Sequence, residues 1–592
     1  MTSVPASLRT SGAQQFLRRD TTLPGTRPSC LHTGGSSGKM ITFDDVLKDI
    51  GEFGRCQKWI VLLLSLCGVT FSFITAVFGF LGVIPSHWCR GGPAVVGLRE
   101  KCGWSLEEER NYTVPPARSG IPAYSRCESY DVDWNLTYLS CDYPEALIAN
   151  SSGEVLRTSC KDGWFYDSSR TTIVSEYDLV CDDAWKVDLS QGCIQIGFSL
   201  GVLITGYAAD RFGRKLALLV CLGGTGVAGI FVALAPVYPV FVIFRIMQGL
   251  FGRGISVITA VIATEMVGCR HRRVVIVVTQ TMFSLGVMLL PGFAYVIKSW
   301  KGIQMAVTVP NFVLMLYCCL IPESPRWLLS RKRLKEALKV AQEMADQNGK
   351  SLPSTYKEMM MAESSPEVVR HLSFLDLFRT AQMRRRTLIL MYCWFTSGLV
   401  YLGLTLRLGL QGVENYGDTF VAGAVELPAT MLGLLVVRRV GRRSPFVASS
   451  VLAAAFCLIS ACISGEMPRL KTAVTTLARF GITISLSILF LLTNELQPTS
   501  IRSFGVSVCL SLSDISGLAA PLVLYKLAAV WTELPLVIFG ALALVAGGLM
   551  MLLPETRGMR LPENIKDVEN IGRLYRHDQD ECKEMINLRA ST

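Results

Sequence analysis

The sequence predicts an all-α polytopic membrane protein that crosses the bilayer twelve times, in two halves of six spans. Three observations predict it. Apolar runs of about 20 residues follow one another along most of the chain, each long enough to cross a hydrocarbon core roughly 30 Å thick. Basic residues gather in every other short loop between those runs, while the loops between are nearly bare, the asymmetry that orients a membrane protein. A set of polar motifs from the first half returns about 230 residues later.

Composition agrees. Half of the 592 residues are hydrophobic, and the mean hydropathy is +0.39. The net charge of +11 sits in loops between apolar runs and is not a nucleic-acid footprint. Five histidines (His32, His87, His271, His371, His577) fall in loops or tails, so neither a metal cluster nor a histidine proton relay is expected.

Residues 1–39 are polar and aperiodic, an extension expected to be disordered. Asp20 and the lack of an amphipathic stripe argue against a transit peptide there. The first half covers 40–321 and begins with ITFDDVLKDIGEFGR, whose helical spacing predicts a short amphipathic helix on the cytoplasmic face. Span one is expected at 59–84. The loop 85–186 holds Cys89, Cys102, Cys127, Cys141, Cys160 and Cys181, with acceptor sequons at Asn111, Asn135 and Asn150. Six cysteines beside three sequons place it on the oxidising, outer side, with three disulfides in any of fifteen connectivities. The N-terminus is then inside. Spans two to six follow at 187–208, 215–235, 238–264, 274–297 and 302–321. A cytoplasmic linker, 322–386, contains a predicted helix in RKRLKEALKVAQEMADQNG. The second half, 387–553, places spans at 387–409, 418–437, 445–464, 473–494, 503–525 and 531–553, before a cytoplasmic tail, 554–592.

The repeat is the strongest architectural signal. DRFGRK after span two matches RRVGRR after span eight, PESPRW matches PETRG, Glu265 matches Glu495, and Arg245 matches Arg479. A duplicated six-helix unit around a midplane site is the plan of a secondary transporter. Asp210, Arg211, Arg214, Glu265, Glu323, Arg326, Arg442, Glu495 and Glu555 are the candidates for a charge network that biases which side is open. The alternative is that the cations only enforce topology.

Gly224–Gly229 fits G-x-G-x-x-G, but no strand precedes it, and its small residues suit close helix packing. No Walker loop, H-E-x-x-H or nucleophile elbow is found, so neither an enzyme nor an ATP-driven pump is indicated, and no cofactor is called for.

Ser503–Tyr525 carries one formal charge, Asp514, near its middle. A carboxylate at that depth costs about 2.5–3.5 kcal/mol on insertion scales, so it must face a partner or a watery cavity. It is either a substrate group or a structural acid tied to a buried Arg. Glu426, Trp394, Tyr401, Phe283 and Gln280 join it as candidate cavity residues, since aromatic faces and acids together suit an organic cation.

ADRFGRK, IPESPRWLLS, NELQPTSIR, LPETRG, CGWSLEEERNYTVP and VSEYDLVCDDAWK resemble the major facilitator superfamily, and within it the solute carrier 22 family. The likeness runs from about Met40 to Arg573, and IGEFGR and LPENIKDVENIG are similar to its organic cation transporters. The resemblance implies the major facilitator fold and potential-driven, polyspecific transport of organic cations across the plasma membrane, with both termini cytoplasmic. It gives Asp514 the position where cation carriers have an acid and anion carriers an Arg. Association of copies through the cysteine-rich loop follows from family analogy alone. Several positions depart from the family: Ser256 and Ala260 stand for a Trp and a Tyr in span four, Ser487 for a cavity acid or its polar substitute, Thr75 for an aromatic, and Leu402 for a Gln. Gln497 replaces a Tyr, and Arg438 replaces the acid heading the second glycine-loop motif. A zwitterion or anion carrier of the same fold, and a transport-deficient receptor-like protein, are the alternatives these departures leave.

Overall fold

The computed structural model describes residues 43–117, 124–132, 141, 157–167, 170–268, 271–352, 377–409, 416–464, 467–498, 502–556 and 569. Residues 41–572 form one compact unit, and the remaining terminal residues lie outside the described ones.

The amphipathic segment forms Phe43–Ile50, with Phe43, Val46, Leu47 and Ile50 buried at helical spacing. They pack with Ala337, Val340, Ala341 and Met344 of the linker helix Leu334–Gln347. Asn348 fastens the joint: its Nδ2 donates to Ile50 O at 3.0 Å, and its Oδ1 accepts from Cys56 N at 3.1 Å.

Ten helices among the described residues are long and apolar enough to span a membrane. In the first half these are span one (Arg55–Ala76, continued by Phe78–Leu81), two (Trp185–Phe212), three (Arg214–Leu234), four (Tyr238–Glu265) and five (Arg272–Val296). In the second they are seven (Ala381–Gly409), eight (Tyr416–Val440), nine (Arg443–Cys462), ten (Pro468–Leu496) and eleven (Arg502–Val530). The last span of each half is shorter than expected. Span six is Trp300–Leu314 and a separate turn, Tyr317–Leu320. Span twelve is Leu534–Met550, about 26 Å long at 1.5 Å per residue.

The duplication is visible in the packing. Span four packs on spans two and three, one on five, and three on six; ten packs on eight and nine, seven on eleven, and nine on twelve. The halves meet through spans two and eleven and through five and eight, which are equivalent pairs under the repeat. One expected match is only approximate: relative to its helix start, Arg479 lies about one turn deeper than Arg245.

The loop after span one has a small fold of its own. β1 (Ser86–Cys89) is followed by two short helices, Pro93–Cys102 and Leu106–Thr113, then β2 (Glu128–Tyr130), β3 (Arg157–Ser159) and β4 (Trp164–Asp167). β1 pairs antiparallel with β4, with His87 opposite Tyr166, and β2 pairs antiparallel with β3. The connectivity left open by spacing is Cys89–Cys160, Cys102–Cys141 and Cys127–Cys181. Asn111 is exposed on the second helix, whereas Asn135 and Asn150 lie outside the described residues.

Candidate functional site

A cavity of about 2030 Å³ lies between the halves. All six sequence candidates line it: Asp514, Glu426, Trp394, Tyr401, Phe283 and Gln280. So do Thr75, Ser256, Ala260, Ser487 and Leu402. The hydroxyls of Thr75 and Ser487 bond back to their own helices, at Ser72 O (2.8 Å) and Thr483 O (3.0 Å).

Asp514 is buried, and its Oδ2 lies 3.0 Å from Nε of Arg253, on span four of the other half. Nε and Oδ2 are in ion contact, and neither atom has a partner that meets ordinary hydrogen-bond geometry. The Arg253 guanidinium stands 5.6 Å from the Phe71 ring, which packs against Phe198 and Phe283 at 5.6 and 5.9 Å. The structural alternative for Asp514, a tie to a buried Arg, is therefore part of the site. Sequence reasoning passed over Arg253, although the signal was there: a second cation, between Gly252 and Gly254, inside an apolar run.

Glu426 is held more completely. Its Oε1 accepts from Arg479 Nη2 at 2.6 Å and from the Tyr401 hydroxyl at 2.5 Å, and its Oε2 from Ser284 at 3.2 Å across the halves. A buried pair with its remaining lone pairs satisfied is the arrangement in which desolvation is best offset. Glu426 also lies deeper than the two turns expected from sequence, because its helix begins at Tyr416. Trp394 is anchored by Nε1 donating to Thr493 Oγ1 at 2.9 Å. Each acid thus has an arginine, but only Asp514 is left with hydrogen-bonding capacity unused.

Toward the disulfide loop the halves are in contact. Tyr416 stacks on Phe80 at 6.1 Å, meets Tyr295 edge-on at 5.7 Å, and lies under the Arg170 guanidinium at 4.8 Å. Ser199 and Ser511 hydrogen-bond across the halves at 2.6 Å near mid-depth. At the other end Tyr207 lines the cavity while 71% exposed, beside Asp210, Arg214 and Glu265. The cavity is open at the end bearing the glycine–arginine turns.

Those turns bring together most of the predicted charge network. Arg214 Nη2 lies 2.8 Å from Asp210 and 3.4 Å from Glu265, and Glu323 accepts the backbone N–H of Arg214 and Lys215. Arg326 Nε donates to Glu265 O at 3.1 Å. In the second half Arg442 pairs with Glu495 at 3.0 Å, and Glu555 accepts the N–H of Arg442 and Arg443 at 2.8 and 3.0 Å. Arg211 is exposed and stands outside this cluster. Thr556 joins it unpredicted, donating its hydroxyl to Glu495 at 2.5 Å.

Two six-helix halves around a central cavity define a membrane transporter of the major facilitator fold. The fold is shared with the inward-open xylose transporter XylE from E. coli, at a TM-score of 0.54 and 15% identity over 87% of this chain and 99% of that one. Residues 162–566 match the sugar (and other) transporter family. Mouse solute carrier family 22 member 3 is 48% identical over 91% of this chain and 97% of its own, and human member 2 is 43% identical over 90% and 96%. The chain belongs to the solute carrier 22 family.

Proposed function

We infer that this transporter carries organic cations by alternating access, driven by the membrane potential. The observation that carries the reading is the Asp514–Arg253 ion contact, which joins the halves across the cavity with its hydrogen bonding incomplete. A substrate cation takes the place of Arg253 on Asp514, and the displaced guanidinium keeps the Phe71 face. Exchange of partners at this joint links occupancy to the relative position of the halves. Phe283, Gln280, Trp394 and Tyr401 shape the walls, and Glu426 contributes field while bound to Arg479. The small side chains at 75, 256, 260 and 487 leave room for bulky or varied solutes.

The protein lies in the plasma membrane with both termini cytoplasmic. The basic turns Arg211–Lys215 and Arg438–Arg443 then face the cytosol, and the disulfide-bonded loop faces outward. The open end of the cavity is then the cytoplasmic one. With the inside negative, each monovalent cation gains about 2.3 kcal/mol per 100 mV on moving in, so no coupling ion is required. Uptake of a labelled organic cation by cells expressing the chain, with and without high external potassium, tests this. Uptake that falls on depolarisation is the expected result; uptake indifferent to potential would leave the cation reading without its driving force.

A further inference from the structure

We propose that Asp188 and Gln191, near the loop end of span two, form an outer binding site for protonated amines that carry N–H groups. The proposal rests on the reading of the chain as an organic-cation carrier. Trp185, Asp188, Gln191 and Gln195 recur at helical spacing and all line the cavity, so one stripe of span two faces it from the loop end inward. Lys526 lines the same end from span eleven, twelve residues or about 18 Å along the helix from Asp514. The two regions are separate positions on one path.

The acids along that path differ in what already occupies them. Asp514 touches Arg253, and Glu426 has three donors. Asp188 is half-buried and, among the described residues, makes no hydrogen bond or direct ion pair; Lys526, across the gap, is the charge near enough to act on it. One turn further in, Gln191 is 5% exposed, and its Oε1 is buried with no hydrogen-bond partner. A buried acceptor without a donor, beside an acid without a direct partner, suits a ligand that brings both positive charge and N–H donors.

A primary or secondary ammonium meets that demand. A quaternary ammonium supplies the charge but has no hydrogen for Gln191. The exposed indole of Trp185, one turn outward, offers a face to the same cation. Lys526 opposes residence, which keeps the site a loading position and not a trap. It also lies at the joint between halves: a Cβ at Gly192 would come within 2.4 Å of Leu518 on span eleven, so the helices touch next to Gln191. Parting of the halves at the loop end and occupancy of the site are thereby linked.

The test uses full-length protein in nanodiscs, with radiolabelled phenethylamine and tetraethylammonium as probes. In D514N, phenethylamine binding should persist and should weaken about tenfold on adding Q191L, while tetraethylammonium should change less than twofold. Q191E, which adds a second carboxylate, should tighten both probes. If D514N does not yield monodisperse protein, Q191L alone is compared with the unaltered chain for the same selective loss of the primary amine. Equal effects of Q191L on both probes, or none on either, would overturn the proposal. Cellular uptake is scored separately: a chain that binds phenethylamine through Gln191 but moves no cation would refute the carrier reading and leave the site standing.

Discussion

The turn at Gly213 in the first half and the turn at Gly441 in the second share one backbone and differ in charge. Their φ values are +113° and +122°, a conformation in which any side chain is strained. A Cβ would come within 2.7 Å of Glu323 Oε2 at the first and 2.9 Å of Glu555 Oε2 at the second. In both, that glutamate caps the next helix by accepting its first N–H groups. The arginine that follows is partnered differently. Arg214 lies between two carboxylates, Asp210 and Glu265, whereas Arg442 has Glu495, which is shared with the Thr556 hydroxyl. At the place of Asp210 the second half has Arg438. The repeat preserves what the backbone requires and lets the side-chain charges diverge, so the first turn is the better neutralised of the two.

The intramembrane arginines extend the contrast. Arg479 is bound to Glu426 and Tyr401, whereas Arg245 is fully buried beside Gln248 Oε1 at 3.2 Å and the Phe78 ring at 5.6 Å, with no carboxylate partner among the described residues. Removing the cation from each should separate the halves most widely. Arg479→Met strands a buried carboxylate and should cost about 3–5 kcal/mol, whereas Arg245→Met strands only neutral groups and should cost no more than about 1–3 kcal/mol. Thermal unfolding of the purified variants measures both, and equal losses would erase the distinction.

The glycine turns should behave alike. Gly213→Ala and Gly441→Ala each force a side chain into strained backbone against a capping carboxylate, with an expected loss of about 1–3 kcal/mol. A loss at only one would show that the two turns are not equivalent. The smallest effect belongs to the charges: Asp210→Asn leaves Arg214 with Glu265 and should cost about 0.2–1 kcal/mol, since Asp210 is 63% exposed. Arg438→Asp should make the second turn resemble the first, with a change of similar size and opposite sign in the same unfolding assay.

Much of this architecture is legible in sequence because bilayer and repeat both write long-range patterns. Helix ends match at spans three and four to within one or two residues, since Gly213 and Pro239 mark them locally. The outer loop declares itself through six cysteines, but spacing says nothing of which sulfurs meet. Asp514 and Glu426 stand out as charges in apolar runs, and Tyr401 and Arg479 are visible in the same half; Arg253 and Ser284 are not, because they come from the other half and no periodicity connects them. Gln191 is silent for another reason. A lone amide in a helix reads as polar packing until its buried oxygen proves to have no donor.

The central claim is that Asp514 is the cavity acid a cation must engage, in exchange for Arg253. It is tested most directly by uptake of a labelled organic cation in cells expressing Asp514→Asn beside the unaltered chain, normalised to surface protein. Uptake at low substrate should fall about tenfold, the equivalent of about 1.4 kcal/mol of cation binding, with surface level changing far less. Uptake equal to that of the unaltered chain would contradict the claim and leave the Asp514–Arg253 contact a purely structural joint.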